Sequence, residues 1–239
     1  MPYRQLDETS ILRTLEQLKL RIAERFPGSG LSRVAEELLS VGTEVSETVL
    51  YLKRPHYGIR VAAGIAIVVM VVVLAMLVTT VLFGSSESLA RPRNLQELGP
   101  WVQLMESGIN NVIFVGIAIF FLLTIESRLK RRRALETLHQ LRSLAHVVDM
   151  HQLTKDPERL ASPAPDTASS PVRTMSPAEL GRYLDYCSEL LSVNSKLAAL
   201  LVQDFNDEVV LSGVNEIETL TTGLSGKIWQ KIRLIERPH

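Results

Sequence analysis

Apolar residues are concentrated in two runs near the middle of the chain and recur at helical spacing elsewhere. The first run, 61–83, holds 23 residues with no charged side chain, and Thr79 and Thr80 are its only polar positions. A helix of about 20 apolar residues crosses the roughly 30 Å hydrocarbon core of a bilayer. A lone strand could not hydrogen-bond its backbone in lipid, so we predict a transmembrane helix over residues 59–83.

The second apolar run, 112–125, is uncharged over 14 residues and would by itself fit a core helix or a re-entrant segment. Extension back to Trp101, whose indole can anchor at the interface, makes a full span over residues 101–126. That extension takes in Glu106 and Asn110, which share one helix face at a spacing of four. We predict that both polar side chains lie at the outer interface, and the alternative is that they line a small pore.

Lysine and arginine residues cluster before the first run and after the second. The extracytoplasmic loop expected over 84–100 carries only Arg91 and Arg93. Because cytoplasmic flanks carry the Lys/Arg excess, we predict a multi-pass protein of the plasma (inner) membrane with both termini in the cytoplasm. The cations after the second span are also candidates for contact with anionic lipid head groups. They are Arg128, Lys130, Arg131, Arg132 and Arg133.

The N-terminal residues 1–57 show the spacing of a cytoplasmic helical hairpin. Apolar positions recur every three or four residues on both sides of a break at 26–30 that contains proline and glycine. Thr9 or Ser10 is expected to cap the first helix.

The C-terminal residues 176–239 follow the same plan. Ser176, Pro177 and Glu179 match a capping box at a helix start. A break near Phe205 separates two amphipathic stretches, so a second cytoplasmic helical hairpin is predicted here.

Residues 127–156 contain no proline or glycine, so we predict that the second membrane helix extends into the cytoplasm. Residues 157–175 are rich in Pro, Ala and Ser and are expected to form a linker. Each soluble hairpin is too small to bury its own apolar stripe, which favours packing into one bundle or across subunits. The whole pattern predicts an all-α membrane protein, a two-helix transmembrane hairpin with cytoplasmic helical hairpins forming a bundle.

Composition narrows the functional classes. The 26 basic and 26 acidic residues leave no net charge, so there is no global electrostatic case for nucleic acid as a partner. Cys187 is the only cysteine, which excludes an intrachain disulfide and a multi-cysteine metal site. No catalytic motif is present in the sequence, so we expect no enzyme, no catalytic residue, no metal and no cofactor.

One stretch of the expected cytoplasmic extension has unusual polar chemistry. Its polar positions at spacings of three, seven and ten are His139, Arg142, His146 and Asp149. At 100° per residue they fall within an arc of about 80°. A carboxylate favours protonation of a nearby imidazole, so this face is a candidate for binding a partner or sensing pH or a ligand. The alternatives are a hydrogen-bonded seam between packed helices and a metal site, although the histidines lack the usual ligand spacing.

Three classes of function fit these patterns. We predict a membrane-anchored helical scaffold or interaction protein in the lipid bilayer, which presents its cytoplasmic bundle to a protein partner or forms a homo-oligomer. The second class is a subunit of an oligomeric channel or transporter, with Glu106 or Asn110 along the pathway. The third class is a metal or pH sensor that depends on His139 and His146.

Overall fold

The computed structural model describes residues 5–83, 98–155, 157 and 175–236. These residues form six helices and contain no strand, which confirms the predicted all-α class for this part of the chain. Most of the loop expected over 84–100 and of the linker expected over 157–175 lies outside the described residues. The helices are α1 (Glu8–Arg25), α2 (Gly30–Lys53), α3 (Tyr57–Phe83), α4 (Leu98–Leu153), α5 (Pro177–Gln203) and α6 (Glu208–Ile235).

Helix α1 starts where a carboxylate satisfies its free backbone N–H groups. The helix begins directly after Asp7, whose Oδ2 accepts a hydrogen bond from the Ser10 amide at 3.2 Å. The expectation that Thr9 or Ser10 caps this helix is therefore wrong, since both lie inside its first turn. The hydrogen bond from the Ser10 hydroxyl holds the pKa of the Asp7 carboxyl below its usual value, and an anion here also complements the helix dipole.

The other helix starts in the N- and C-terminal segments use the same chemistry. Ser29 caps α2 after a turn in which Gly28 has a φ of 67°, a conformation that favours glycine. The predicted capping box of α5 is confirmed, because Ser176 Oγ accepts from the Glu179 amide and Glu179 Oε2 accepts from the Ser176 amide at 2.8 Å. Asp207 caps α6 by accepting from two amides of its first turn.

The chain divides into two compact units. The helical bundle comprises Met1–Arg54 and Lys130–His239 and contains α1, α2, the last part of α4, α5 and α6. The apolar unit comprises Pro55–Leu129 and contains α3 and the first part of α4.

The bundle is built around one hydrophobic core to which all five of its helical segments contribute. Apolar side chains at three- and four-residue spacing turn inward, and burying one leucine or isoleucine contributes about 1.5–3 kcal/mol. The last part of α4 supplies Ala134, Leu138, Leu141, Ala145 and Val148. The largest fully buried side chains are Leu15, Leu18, Ile22, Leu31, Leu38, Leu141, Leu184, Leu190, Leu191, Leu197, Leu201 and Ile217.

Buried polar contacts join α4 to two neighbours in the bundle. Thr137 Oγ1 lies 3.2 Å from Thr48 Oγ1 of α2, and both threonines are buried. Asn194 Nδ2 of α5 donates to the carbonyl oxygen of Leu141 at 3.1 Å. Because a buried polar group is costly without a partner, these contacts favour one rotation of α4 about its axis.

Helix α6 runs alongside α4 in the same direction. Arg131 pairs with Asp207 at the start of α6, whereas Lys231 near its end donates to the carbonyl oxygens of Gln152 and Lys155 at 3.0 and 3.3 Å. Lys231 thus satisfies carbonyl groups at the C-terminus of α4, where a cation also complements the helix dipole.

Most of the side chains that the structure describes in the apolar unit are uncovered. Among the residues whose side chains the structure describes, one helix, Gly108–Leu153, is long and apolar enough to cross a membrane, and none of its 18-residue apolar stretch is buried. The stretch Arg60–Met76 of α3 is also apolar but shorter. Val68 and Phe114 are 62% and 69% exposed, in contrast to the core leucines of the bundle such as Leu15 and Leu190.

Candidate functional site on the outer face of helix α4

The four polar residues singled out from the sequence lie in the part of α4 that belongs to the bundle. His139, Arg142 and His146 are exposed, and Asp149 is half-buried. The opposite side of the same helix carries Leu141 and the other core residues. His146 therefore lies on the outward face of α4, whereas Arg142 at the edge of that face makes a polar contact with α6, of the kind that the seam alternative required.

His139 and Arg142 line a groove of about 220 Å³ between α4 and α6. Arg142 donates to Glu216 Oε2 of α6 at 3.2 Å. The helices approach closely here because Gly213 has no side chain, and a Cβ atom there would lie 3.1 Å from Leu138 Cδ1. The two charged side chains are 53% and 62% exposed, so the ion pair contributes at most about 1 kcal/mol and is easily exchanged for contacts with a partner.

The remaining two members of the quartet have different surroundings. Asp149 Oδ1 accepts from Gln152 Nε2 at 2.5 Å, and Gln152 is itself buried. His146 lies between the groove and this contact along α4, and its side chain is exposed. The structure thus brings His139 and Arg142 into one groove, and the role of the quartet in binding or sensing stays a prediction.

An apolar strip continues this face towards the end of α4. Val147, Met150 and Leu153 follow at three-residue spacing and are 39%, 68% and 61% exposed. Three-residue steps return to nearly the same side of a helix, so this α4 strip adjoins His146. Clustered, uncovered apolar side chains are typical of an interaction surface. Sequence analysis missed the strip because buried and exposed apolar stripes have the same spacing.

Arg131, predicted as a contact for lipid head groups, binds Asp207 in the structure. Its Nε and one terminal nitrogen each lie 2.8 Å from Asp207 Oδ2. The Asp207 side chain is only 7% exposed and also caps α6. The arginine therefore anchors the corner between α5 and α6 onto α4, a role that the sequence did not reveal because the partners are 76 positions apart.

The other four cations of the predicted head-group cluster have mixed surroundings. Lys130 is buried. Arg128 lies over the ring of Phe121, 5.5 Å from its centroid, and Arg132 pairs with a carboxylate one turn along α4. Arg128, Arg132 and Arg133 are exposed and so are available to head groups, and their contact with lipid stays a prediction.

Three polar side chains of the apolar unit differ in their surroundings. Glu106 and Asn110 are exposed on α4. Glu126 was missed by sequence analysis, and its side chain is only 13% exposed. Its carboxylate accepts from Arg60 Nε at 2.6 Å and from the His56 amide at 3.3 Å. This ion pair joins the start of the first apolar run to the end of the second. The opposite charges of Arg60 and Glu126 at those two positions are the sequence feature from which the pair could have been predicted.

Two observations bear on chemistry in the described part of the chain. No group of three or more His, Cys, Asp or Glu side chains there is arranged to hold a metal ion. Burial raises the pKa of the Cys187 thiol to about 12, so the thiol stays protonated at neutral pH and is a poor nucleophile.

No family model, no curated protein and no solved structure matches this chain. Its function is therefore inferred from its own residues, above all from the outer face of α4 and the uncovered apolar helices.

Proposed function

We propose that the chain is a membrane-anchored helical scaffold. Residues 59–83 and 101–126 form a transmembrane hairpin, both termini lie in the cytoplasm, and the helical bundle binds a protein partner through the outer face of α4. The observation that carries this proposal is the apolar stretch of α4 that no other part of the described chain covers.

The exposed apolar side chains of the apolar unit favour a lipid environment over water. Val68, Phe114 and Leu123 are each more than 60% exposed, whereas the bundle buries a large set of apolar side chains in its core. Apolar surface left in water costs about 25 cal/mol per Å². Soluble monomers rarely expose patches above a few hundred Å², whereas a bilayer core accepts an uncharged helix of this length.

The pair between Arg60 and Glu126 supports a hairpin with both flanks on one side. Arg60 directly precedes the first apolar run, and Glu126 directly follows the second. Their contact at 2.6 Å brings those two ends to one level within the apolar unit. The Lys/Arg excess in the same flanks favours the cytoplasmic side for both.

The outer face of α4 supports the partner-binding role. It combines uncovered apolar side chains, Val147, Met150 and Leu153, with exposed polar groups at His139 and His146. Interfaces commonly place apolar anchors beside a polar rim that sets register and excludes wrong partners.

Membrane anchoring is tested by fractionation and by reporter fusions. We expect the full chain to stay with lipid after extraction at alkaline pH. A reporter active only outside the cytoplasm should respond when inserted after residue 90 and stay silent at either terminus. Release of the chain without detergent would refute the anchor, and a signal from a terminal reporter would refute the assigned sidedness.

Partner binding is tested by a photo-crosslinking residue placed at Met150 in cells. We expect one defined adduct that disappears when His139, Arg142, His146 and Asp149 are all changed to alanine. The matched control changes four positions on α2 to alanine, which are Glu36, Glu37, Thr43 and Glu47. An adduct that survives the α4 changes, or that disappears equally with the α2 changes, would show that the surface has been misassigned.

A channel or transporter subunit is the second candidate function. Glu106 and Asn110 are exposed on α4 just before its apolar run 112–125, and polar groups at membrane depth usually face protein or water. Two spans cannot enclose a pathway alone, so this function requires an oligomer. A monomeric mass in mild detergent would exclude it, whereas an oligomer that loses ion flux after Glu106→Gln and Asn110→Leu would favour it over the scaffold.

A further inference from the structure

One histidine packs the last turn of α4 against the first residue of α2. A Cβ atom on Gly30 would lie 2.2 Å from His151 Cε1 and 2.7 Å from its Nδ1. The imidazole therefore occupies the space directly over the start of α2, which only glycine leaves open. His151 is half-buried in this position, unlike the exposed His139 and His146 on the same helix.

The surroundings of His151 are positively charged. Arg33 of α2 and Lys155, just past the end of α4, are the charged groups that act on the ring among the described residues. Lys231 of α6 brings a third cation to this end of the bundle, where it donates to the carbonyl oxygens of Gln152 and Lys155. The start of α2 adds the partial positive charge of a helix N-terminus, and its first turn contains no acidic side chain.

Among the residues that the structure describes, no acidic group is found to offset that charge at the His151 ring. Tyr183 of α5 faces Lys155, whose Nζ lies 5.4 Å from the ring centroid. The carboxylate of Asp149 is engaged with Gln152. Burial, followed by Arg33, lowers the pKa of His151 below its ordinary value of 6.5. The neutral imidazole is therefore the form that fits this position.

We propose that His151 is a pH-sensitive latch, in which the neutral ring holds the last turn of α4 against α2 and protonation releases that turn. The released turn carries Met150 and Leu153 of the α4 strip. Acidification therefore loosens the proposed partner surface. That consequence rests on the proposed function, but the latch does not depend on it.

The direction of the pH dependence follows from proton linkage. In the released state His151 takes up its proton near pH 6.5, whereas in the latched state it does so only at lower pH. Release therefore becomes more favourable as the pH falls below about 6.5, by at most about tenfold per pH unit. The release equilibrium stops changing with pH once His151 is also protonated in the latched state. Above pH 6.5 the ring is neutral in both states, so release does not depend on pH.

The test uses the buried thiol of Cys187 as a probe of opening in the full chain in detergent micelles. Lys155 and Lys231 act on this thiol, so it lies at the same end of the bundle as the latch. Labelling by a thiol reagent is measured from pH 7.5 to 5.0 for the unmodified chain, for His151→Gln and for His146→Gln. Ratios between variants at the same pH cancel the intrinsic pH dependence of thiol chemistry.

We expect the labelling rate of the unmodified chain to rise relative to that of His151→Gln as the pH falls below about 6.5, by less than tenfold per unit, and then to level off. The exposed control, His146→Gln, should behave like the unmodified chain. Arg33→Gln, at an exposed position, keeps the His151 ring and removes a cation, so the pH dependence of release should be smaller and should end closer to pH 6.5.

Two outcomes would overturn the latch. One is a ratio of labelling rates, unmodified chain to His151→Gln, that stays constant from pH 7.5 to 5.0, since both proteins would then respond equally to pH. The other is an Arg33→Gln variant whose labelling rate depends on pH as in the unmodified chain. Nuclear magnetic resonance of ¹³C-labelled histidine rings supplies an independent measurement, in which the pKa of His151 should lie below its ordinary value of 6.5. Failure of the partner crosslink at Met150 leaves these readouts unaffected, so the two proposals can fail separately.

Discussion

Asp207→Ala removes two interactions at once at the corner between α5 and α6. Asp207 Oδ1 accepts from the amides of Val209 and Val210 at 3.1 and 3.2 Å, and an N-cap of this kind contributes about 0.5–2 kcal/mol. The second interaction is the ion pair with Arg131 at 2.8 Å. Because the Arg131 side chain is 42% exposed and can be rehydrated, its loss adds only about 0.5–1 kcal/mol. We expect the free energy of unfolding to fall by about 1–3 kcal/mol.

The assay is thermal and urea unfolding of the full chain in detergent micelles, followed by far-ultraviolet circular dichroism. A loss of this size lowers the Tm of a bundle of this length by about 3–10 °C. Arg131→Ala keeps the cap and should cost less than Asp207→Ala, and the double variant should reveal a coupling of about 0.5–1 kcal/mol. Arg132→Ala is the matched control, because its ion pair is 80% and 55% exposed and should contribute less than about 0.5 kcal/mol.

Two results would refute this account of the corner. One is an Asp207→Ala variant that is no less stable than Arg132→Ala, which would mean that neither the cap nor the ion pair holds α6 in place. The other is equal destabilisation by Arg131→Ala and Asp207→Ala with complete coupling, which would leave no separate contribution from the cap.

Packing in the bundle yields two further predictions, both measured by chemical denaturation. Leu190→Ala empties a fully buried position and should cost about 2–5 kcal/mol, whereas Leu20→Ala, at a residue 52% exposed, should cost less than about 0.5 kcal/mol; similar losses would contradict the assigned core. Gly223→Ala, where an added Cβ meets open space, should stabilise α6 by about 0.5–1 kcal/mol. Gly30→Ala should lower the free energy of unfolding, because its Cβ displaces the His151 ring. If Gly223→Ala and Gly30→Ala changed that free energy in the same direction, the packing of His151 on Gly30 would be contradicted.

Helix starts show how far local sequence can be trusted. The capping box formed by Ser176 and Glu179 was predicted correctly because both partners lie within one turn. At α1 the residues Asp7, Thr9 and Ser10 are all good capping residues, and the prediction of Thr9 or Ser10 is wrong because Asp7 is the cap. The structure begins the helix after Asp7 because its carboxylate accepts from Ser10 and so leaves Ser10 inside the first turn.

The candidate site was predicted in part. The spacing of His139, Arg142, His146 and Asp149 placed them on one side of a helix, and that side is exposed or half-buried in the structure. The ion pair with Glu216 could not be predicted, since the two residues are 74 positions apart and many carboxylates were equally plausible partners. Helical spacing likewise gives no indication that the strip continuing this face lies uncovered.

By itself the sequence determined the helical class of the described residues and the existence of a helix apolar enough for a bilayer. Run length, period and local caps are properties of neighbouring residues, and backbone hydrogen bonding in a helix depends on them alone. Only the tertiary structure decided which apolar stripes are buried, which cation meets Asp207 and why Gly30 must lack a side chain. Those outcomes depend on how segments far apart in the chain share limited interior space and compensate each other's buried charges.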